Sequence, residues 1–361
     1  MDALLIATPL AAGFLASLLM TLPAGRLASA AGAIDKPTAR GVNVRSGVPL
    51  WGGLGVAAGV ACGLWATVSV TEVEADPSRW WGLFVGAGLL VVAGMWDDRF
   101  GLSALPKLAV QLVAASAAIL SGFEIGVFTD PFALEIIELP RWIVWPASLL
   151  WIVGITNAMN LLDGLDGLAS GVGAIIGATL SLIAFQAGAP LGLCVGLALV
   201  GALLGFLPHN FAPARLFLGD TGSLLIGFLL ALVALEGYRR VSLITFVVPL
   251  LALAVPILDT SLSIVRRLRM RTNILSADRM HMHHRLLDFE GSAQAAVLQF
   301  YFVTAAFCLI AVSFTQLQGV TAIVFLLAVA GLTLRLLWNL GVLDVDTQEG
   351  DESDATPQEH P

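Results

Sequence analysis

Long apolar runs, each close to twenty residues and parted by short polar stretches, dominate the chain. A helix needs about 20 apolar residues to cross a bilayer, with some tolerance. Eleven runs meet that length: roughly 3–22, 49–70, 80–96, 107–123, 141–158, 168–187, 190–208, 222–237, 242–259, 294–315 and 319–340. The closest pair is divided at Gly188 and Pro190. Lipid offers no partners to unpaired backbone groups, so such a row predicts helices and excludes open sheet edges. The expected fold is therefore all-α, a polytopic membrane helical bundle of about eleven transmembrane helices spanning 1–343. Residues 344–361 are acidic, contain proline and have few apolar side chains, which predicts a disordered tail.

Composition agrees with the pattern. Of 361 residues, 58% are hydrophobic and only 12% charged, where a soluble domain carries about 25% charge. The net charge of −8 is unevenly placed, with seven of the 26 acids between Asp344 and Glu359. There is no basic arm and no interleaving of basic and aromatic residues, which excludes a nucleic-acid partner. Cys62, Cys194 and Cys308 sit inside apolar runs without metal-ligand spacing and read as small hydrophobes. Met1-Asp2 lacks the basic start of a cleaved signal peptide, so the first run is expected to stay as a span.

Lysine and arginine set the expected orientation. With eleven alternating spans, 14 of the 18 basic residues fall on one side and four (Arg79, Arg141, Arg239 and Arg240) on the other. The first side is expected to be cytoplasmic, with the N-terminus outside and the C-terminus inside. The polar stretches of chemical interest all fall on that side, at the ends of spans. A transporter more often breaks its helices or places charge at mid-membrane.

Asn157 to Gly167 is one such stretch: Asn157, Asn160, Asp163 and Asp166 recur every three residues, near one face of a helical turn. Charge at membrane depth is costly and marks function. Asp97-Asp98 ends another span. Two adjacent carboxylates repel each other unless a cation compensates, and Mg²⁺ does so through oxygen ligands. Lys107 and Gln111 follow one turn apart, where the ammonium can meet a phosphate or simply snorkel. Gly219-Asp220-Thr221-Gly222 opens a further span. Asp220 there can hold a metal or serve as an N-cap. The last long loop places six arginines between Arg266 and Arg285, and three histidines at His281, His283 and His284. Arginine beside histidine suits phosphate oxygens; zinc and a headgroup-binding basic loop are the alternatives. Carboxylates for Mg²⁺ with basic groups for phosphates are the equipment of phosphoryl transfer, with one substrate from the cytosol and one from the membrane.

These residues resemble the polyprenyl-phosphate N-acetylhexosamine-1-phosphate transferases, a family related to the phospho-N-acetylmuramoyl-pentapeptide translocases. The resemblance rests on Asp35-Lys36-Pro37 with Arg40 and the later Pro49 to Gly53, on Asp97-Asp98 with Lys107 and Gln111, and on Asn157 to Gly167. It continues through Phe217 to Ser223, Pro256 to Thr260 and Ala277 to Leu286. It implies transfer of N-acetylhexosamine 1-phosphate, with GlcNAc expected, from a UDP-sugar to undecaprenyl phosphate, releasing UMP. It also implies Mg²⁺, with Mn²⁺ as a substitute, and a multi-pass protein of the bacterial inner membrane with a cytoplasmic active site. Met282 interrupts the histidine run as in the GlcNAc-1-phosphate branch. Carried over by motif, Asp220 and Asp98 hold metal, and Asp97, Asp98 and His281 are catalytic. Lys107, Asn160, Asp163, Asp166, Arg279, His283 and His284 bind substrate. Asn43 stands where the family usually has a histidine and receives no role. A phosphate monoester has its second pKa near 6, so Asp97 and Asp98 are expected to position metal and lysine as much as to remove a proton. The competing readings are a lipid-linked substrate transporter or flippase without catalysis, and a zinc hydrolase built on the histidines. Small-residue stretches such as Ala11 to Ser17 would permit a homodimer.

Overall fold

The computed structural model describes residues 3–35, 47–71, 73, 76–129, 136–238, 243–269, 292–315, 317 and 319–339. Among them lie twelve helices: α1 (Ala3–Ala31), α2 (Gly52–Val70), α3 (Pro77–Phe100), α4 (Ala104–Leu120), α5 (Arg141–Leu162), α6 (Leu168–Gln186), α7 (Pro190–Asn210), α8 (Gly219–Tyr238), α9 (Leu243–Ala252), α10 (Ala254–Arg269), α11 (Ala293–Phe314) and α12 (Gly319–Asn339). Eight of the described helices, α1–α3, α5–α8 and α11, are long and apolar enough to cross a membrane. The chain is thus a polytopic membrane helical protein.

Two departures from the sequence pattern have physical causes. The run at 242–259 is not one helix but two, α9 and α10, meeting at Leu253. Pro256 has no N–H to give the carbonyl of Ala252, and that carbonyl accepts instead from the Cys308 thiol at 3.8 Å. The fold is also not wholly α-helical. Between α4 and α5, β1 (Val127–Thr129) pairs antiparallel with β2 (Ile136–Glu138), with Phe128 opposite Ile137.

The centre of the bundle is α8. Every residue from Thr221 to Gly237 is buried, as expected of a helix that is apolar on all sides. Packed on it are α3, α5 and α6, with α2 and α7 behind. The outer surface carries large apolar side chains such as Leu19, Trp65, Trp81, Leu150 and Phe302, which is what a lipid-facing wall requires. Close approach sets the register at one end of α8: a Cβ on Gly94 would lie 2.4 Å from the backbone nitrogen of Thr221, so α3 abuts the first turn of α8 only with glycine there. The small residues near the start of α1 are used within the chain: Gly13 and Ser17 are buried, and a Cβ on Gly13 would lie 2.7 Å from the Ala198 carbonyl oxygen of α7.

Short connections make successive spans alternate. The end of α3, the start of α4, the α5–α6 turn and the start of α8 therefore share one border of the bundle. At the other border, Arg79 of α3 forms a buried ion pair with Glu236 of α8 and donates to the Gly122 carbonyl. Arg141 pairs there with Glu124 at 2.6 Å.

Candidate active site

Neighbouring residues on a helix point about 100° apart and do not face each other. Asp97 and Asp98, in the last turn of α3, consequently reach different partners. Asp98 turns to α8 and receives its N-terminus. Its Oδ1 accepts from the backbone N–H of Asp220 at 2.8 Å, and its Oδ2 from the N–H and hydroxyl of Thr221 at 3.2 and 2.6 Å. The carboxylate thus satisfies free amides at the positive end of a long buried helix. Gly219 makes this fit: its φ is +68°, and a Cβ there would lie 2.5 Å from Asp98 Oδ2.

Asp97 turns to α4. Its Oδ1 accepts from the Leu102 N–H at 2.6 Å, closing the α3–α4 turn. Its Oδ2 forms an ion pair with the Lys107 ammonium, yet is buried and accepts no well-aligned hydrogen bond among the described residues. Lys107 also pairs with Asp220 Oδ2. One ammonium therefore bridges carboxylates from α3 and α8. The other oxygen of Asp220 accepts from Asn160 Nδ2 at 2.8 Å, and the same nitrogen donates to Ser223 Oγ at 2.8 Å. One turn deeper, Gln111 and Asn157 exchange reciprocal hydrogen bonds of 3.2 and 2.5 Å, fixing α4 against α5.

The α5–α6 turn completes this border. Asp163 ends α5, and among the described residues no donor or cation meets its carboxylate. Burial first, then the charges of Asp220, Asp98 and Asp166, raise its pKa well above the usual carboxylate value. Asp166 faces the other way and accepts from the Ala214 N–H at 2.9 Å, tying the turn to the α7–α8 connection. Tyr301 of α11 donates to the Gly167 carbonyl at 2.6 Å, and Gln294 donates to the Ala212 carbonyl at 2.8 Å. Thr221 and Ser223 stand within the motif around Asp220 but receive no role of their own from the sequence, and Tyr301 lies outside every motif. A phenol in an apolar run, as at Tyr301, is the one signal that could have found it, since a buried hydroxyl needs a partner.

Of the residues expected at the site, Asp97, Asp98, Lys107, Asn160 and Asp220 come together through four helices. Asp163 lies within electrostatic reach, and Asp166 is turned to a backbone amide. Asn43, Arg279, His281, His283 and His284 lie outside the described residues. No group of three His, Cys, Asp or Glu side chains is gathered as a metal site among the described residues. Two carboxylate oxygens, Asp97 Oδ2 and Asp220 Oδ2, converge on the position of the Lys107 ammonium. That donor set suits Mg²⁺, which commonly takes one or two carboxylates and completes its shell with phosphates and water.

The family model for glycosyl transferase family 4 matches residues 80–238, a stretch that contains every described site residue above except Gln294 and Tyr301. A probable undecaprenyl-phosphate N-acetylglucosaminyl 1-phosphate transferase of Bacillus subtilis is 39% identical over 82% of this chain and 81% of its own. A decaprenyl-phosphate N-acetylglucosaminephosphotransferase of Mycolicibacterium smegmatis is 36% identical over 75% of this chain and 72% of its own. A phospho-N-acetylmuramoyl-pentapeptide-transferase of Lacticaseibacillus paracasei is 36% identical over 55% of this chain and 64% of its own. With most of both chains aligned at such identity, the protein belongs to glycosyl transferase family 4.

Proposed function

We propose that the protein transfers N-acetylhexosamine 1-phosphate, with GlcNAc as the sugar, from a UDP-sugar to undecaprenyl phosphate, releasing UMP. The reaction takes place at the cytoplasmic face of the bacterial inner membrane and starts a lipid-linked glycan. The observation that carries this reading is the Lys107 ammonium bridging Asp97 and Asp220 at one border of an apolar bundle. A headgroup held in the membrane and a nucleotide arriving from water can meet only at such a border.

In the reaction an oxygen of the acceptor phosphate bonds to the β-phosphorus of the UDP-sugar. The bond from that phosphorus to the bridging oxygen breaks, and UMP leaves with the electron pair. Both reactants are anions, so positioning and charge neutralisation govern the rate. Asp97 Oδ2 and Asp220 Oδ2 would hold Mg²⁺, or Mn²⁺ in its place. The bound ion supplies charge neutralisation on the phosphates. With the ion between the two carboxylates, the Lys107 ammonium that bridges them here would turn its donors to a phosphate oxygen. Asn160 fixes the rotamer of Asp220. Asp98 is a positioning residue: its oxygens hold the start of α8, and so place Asp220. The Asp163 carboxylate is free to accept from hydroxyl or N–H groups of the nucleotide sugar. Arg279, His281, His283 and His284 have the chemistry to bind pyrophosphate oxygens.

Purified protein, carbon-14-labelled UDP-GlcNAc, Mg²⁺ and undecaprenyl phosphate test the proposal. Label entering the organic phase with equimolar UMP supports it. Label left in water as free GlcNAc 1-phosphate, or transport of a lipid-linked substrate without UMP, overturns it.

A further inference from the structure

A cavity lies at the same border, beside the backbone that leads into α8. The ends of α1 and α7 and the connection before α8 enclose an open cavity of about 380 Å³, lined by Arg26, Arg215, His209, Thr21, Leu216 and Pro49 among others. Two backbone segments separate it from the active site. Phe217 donates to the Pro49 carbonyl and Gly52 donates to the Phe217 carbonyl, both at 2.9 Å. Pro49 and Leu216 face the cavity, while a Cβ on neighbouring Gly219 would meet Leu50 and Asp98. On α7, Asn210 turns to Ser170 of α6, whereas His209 lines this cavity beside α1.

We infer that this cavity binds the phosphodiester headgroup of an anionic membrane phospholipid. Three observations carry the inference. Arg26 and Arg215 reach the cavity from separate elements, and no carboxylate pairs with either among the described residues. His209 Nε2 is buried and has no hydrogen-bond partner among the described residues. The backbone carbonyl of His209, which would repel an anion, is already occupied by the N–H groups of Arg215 and Leu216. Guanidinium and imidazole donors around one space are the chemistry of phosphate recognition. Thr21 donates back to its own helix at 2.6 Å, and Ser29, also on the wall, does so at 3.0 Å. The donors available to a ligand are thus the basic groups.

The wall of α1 selects a lipid over a free anion. Leu15, Leu19 and Leu22 are exposed and spaced four and three residues apart, so they form one apolar stripe along the helix. Leu22, at its inner end, lines the cavity. A headgroup seated among the arginines would leave its acyl chains along that stripe.

The test is native mass spectrometry of the full chain in detergent micelles, titrated with dioleoyl-phosphatidylglycerol, with phosphatidylcholine and inorganic phosphate as comparison probes. Wild type should retain phosphatidylglycerol over phosphatidylcholine. The R26Q/R215Q double variant should bind phosphatidylglycerol about tenfold more weakly, with an unchanged melting temperature in lipid-free detergent and an unchanged KM for undecaprenyl phosphate. R26K/R215K, which keeps the charge, should bind within about threefold of wild type. Equal phosphatidylglycerol binding by wild type and R26Q/R215Q overturns the inference. So does displacement of the lipid by millimolar inorganic phosphate, which would make this a free-anion site. A raised KM for undecaprenyl phosphate with phosphatidylglycerol binding intact would assign the cavity to the substrate and also overturn it. Transferase activity is not needed for the binding arms, so their failure is distinct from failure of the proposed reaction.

Discussion

Replacing Asp98 by Asn keeps the shape of the side chain and removes its charge and one acceptor. The carboxylate receives three donors from Asp220 and Thr221. An amide can accept from one side only. Its oxygen will stay with the two donors of Thr221, leaving its NH₂ against the Asp220 N–H. Losing a hydrogen bond to a charged acceptor costs about 1.5–3 kcal/mol. Losing an anion at a helix N-terminus costs about 0.3–1 kcal/mol more, rising to ~2 where the site is partly buried. D98N is therefore expected to be destabilised by roughly 2–4 kcal/mol, or some 3–5 °C in melting temperature at ~2.1 cal/mol/K of unfolding entropy per residue. Tryptophan fluorescence during heating in micelles reads this directly. Turnover should fall about a hundredfold, because Asp220 moves with the start of α8 and small displacements at a reacting centre cost that much. The loss should appear in kcat at every pH, since the defect is one of position. A D98N protein with wild-type melting and near-normal turnover would refute the reasoning. So would a kcat deficit that high pH repairs, because that is the mark of a lost proton acceptor.

Lys107→Gln leaves two carboxylates facing each other without their shared cation. Turnover should drop at least a hundredfold while melting falls by only a few degrees, because the cluster is partly solvated; wild-type kcat in the lipid-label assay would contradict this. Asp163 gives a pH signature. Its carboxyl is held above its unfolded value, so the native state keeps a proton the unfolded chain has lost, and stability falls as pH rises from the ordinary carboxylate range towards the raised value. Asp163→Asn should flatten that slope and melt higher than wild type at pH 8; an unchanged slope across pH 4–8 would contradict it. Arg79→Met strands Glu236 in the bundle and should cost about 3–5 kcal/mol. R79M/E236L should recover most of it, and a double variant no more stable than the single would count against the pair as the cause.

Much of the framework was legible from apolar run length, because membrane insertion leaves so few alternatives. The runs at 141–158, 168–187, 190–208 and 294–315 became α5, α6, α7 and α11 with ends moved by at most four residues. The run at 242–259 misled because hydropathy ignores the missing proline donor at Pro256. The hairpin escaped because three-residue strands carry no period. In the site, residue types were readable and partners were not. Asp97 and Asp98 look equivalent in sequence, yet the 100° step along α3 sends one to Lys107 and the other to the amides of α8. Asp163 and Asp166 also look alike, yet one faces the acid cluster and the other holds Ala214. Lys107 meets Asp220 across 113 residues, a pairing that helix packing decides and local pattern does not contain.

The central claim is that the bond broken lies between the two phosphorus atoms of the nucleotide sugar. UDP-GlcNAc carrying phosphorus-32 in the β-phosphate, given to the purified protein with Mg²⁺ and undecaprenyl phosphate, tests it most directly. The account predicts radioactive phosphorus in the lipid product, unlabelled UMP in water, and neither with K107Q. Label recovered as UDP would mean that the sugar alone had moved, and would contradict it.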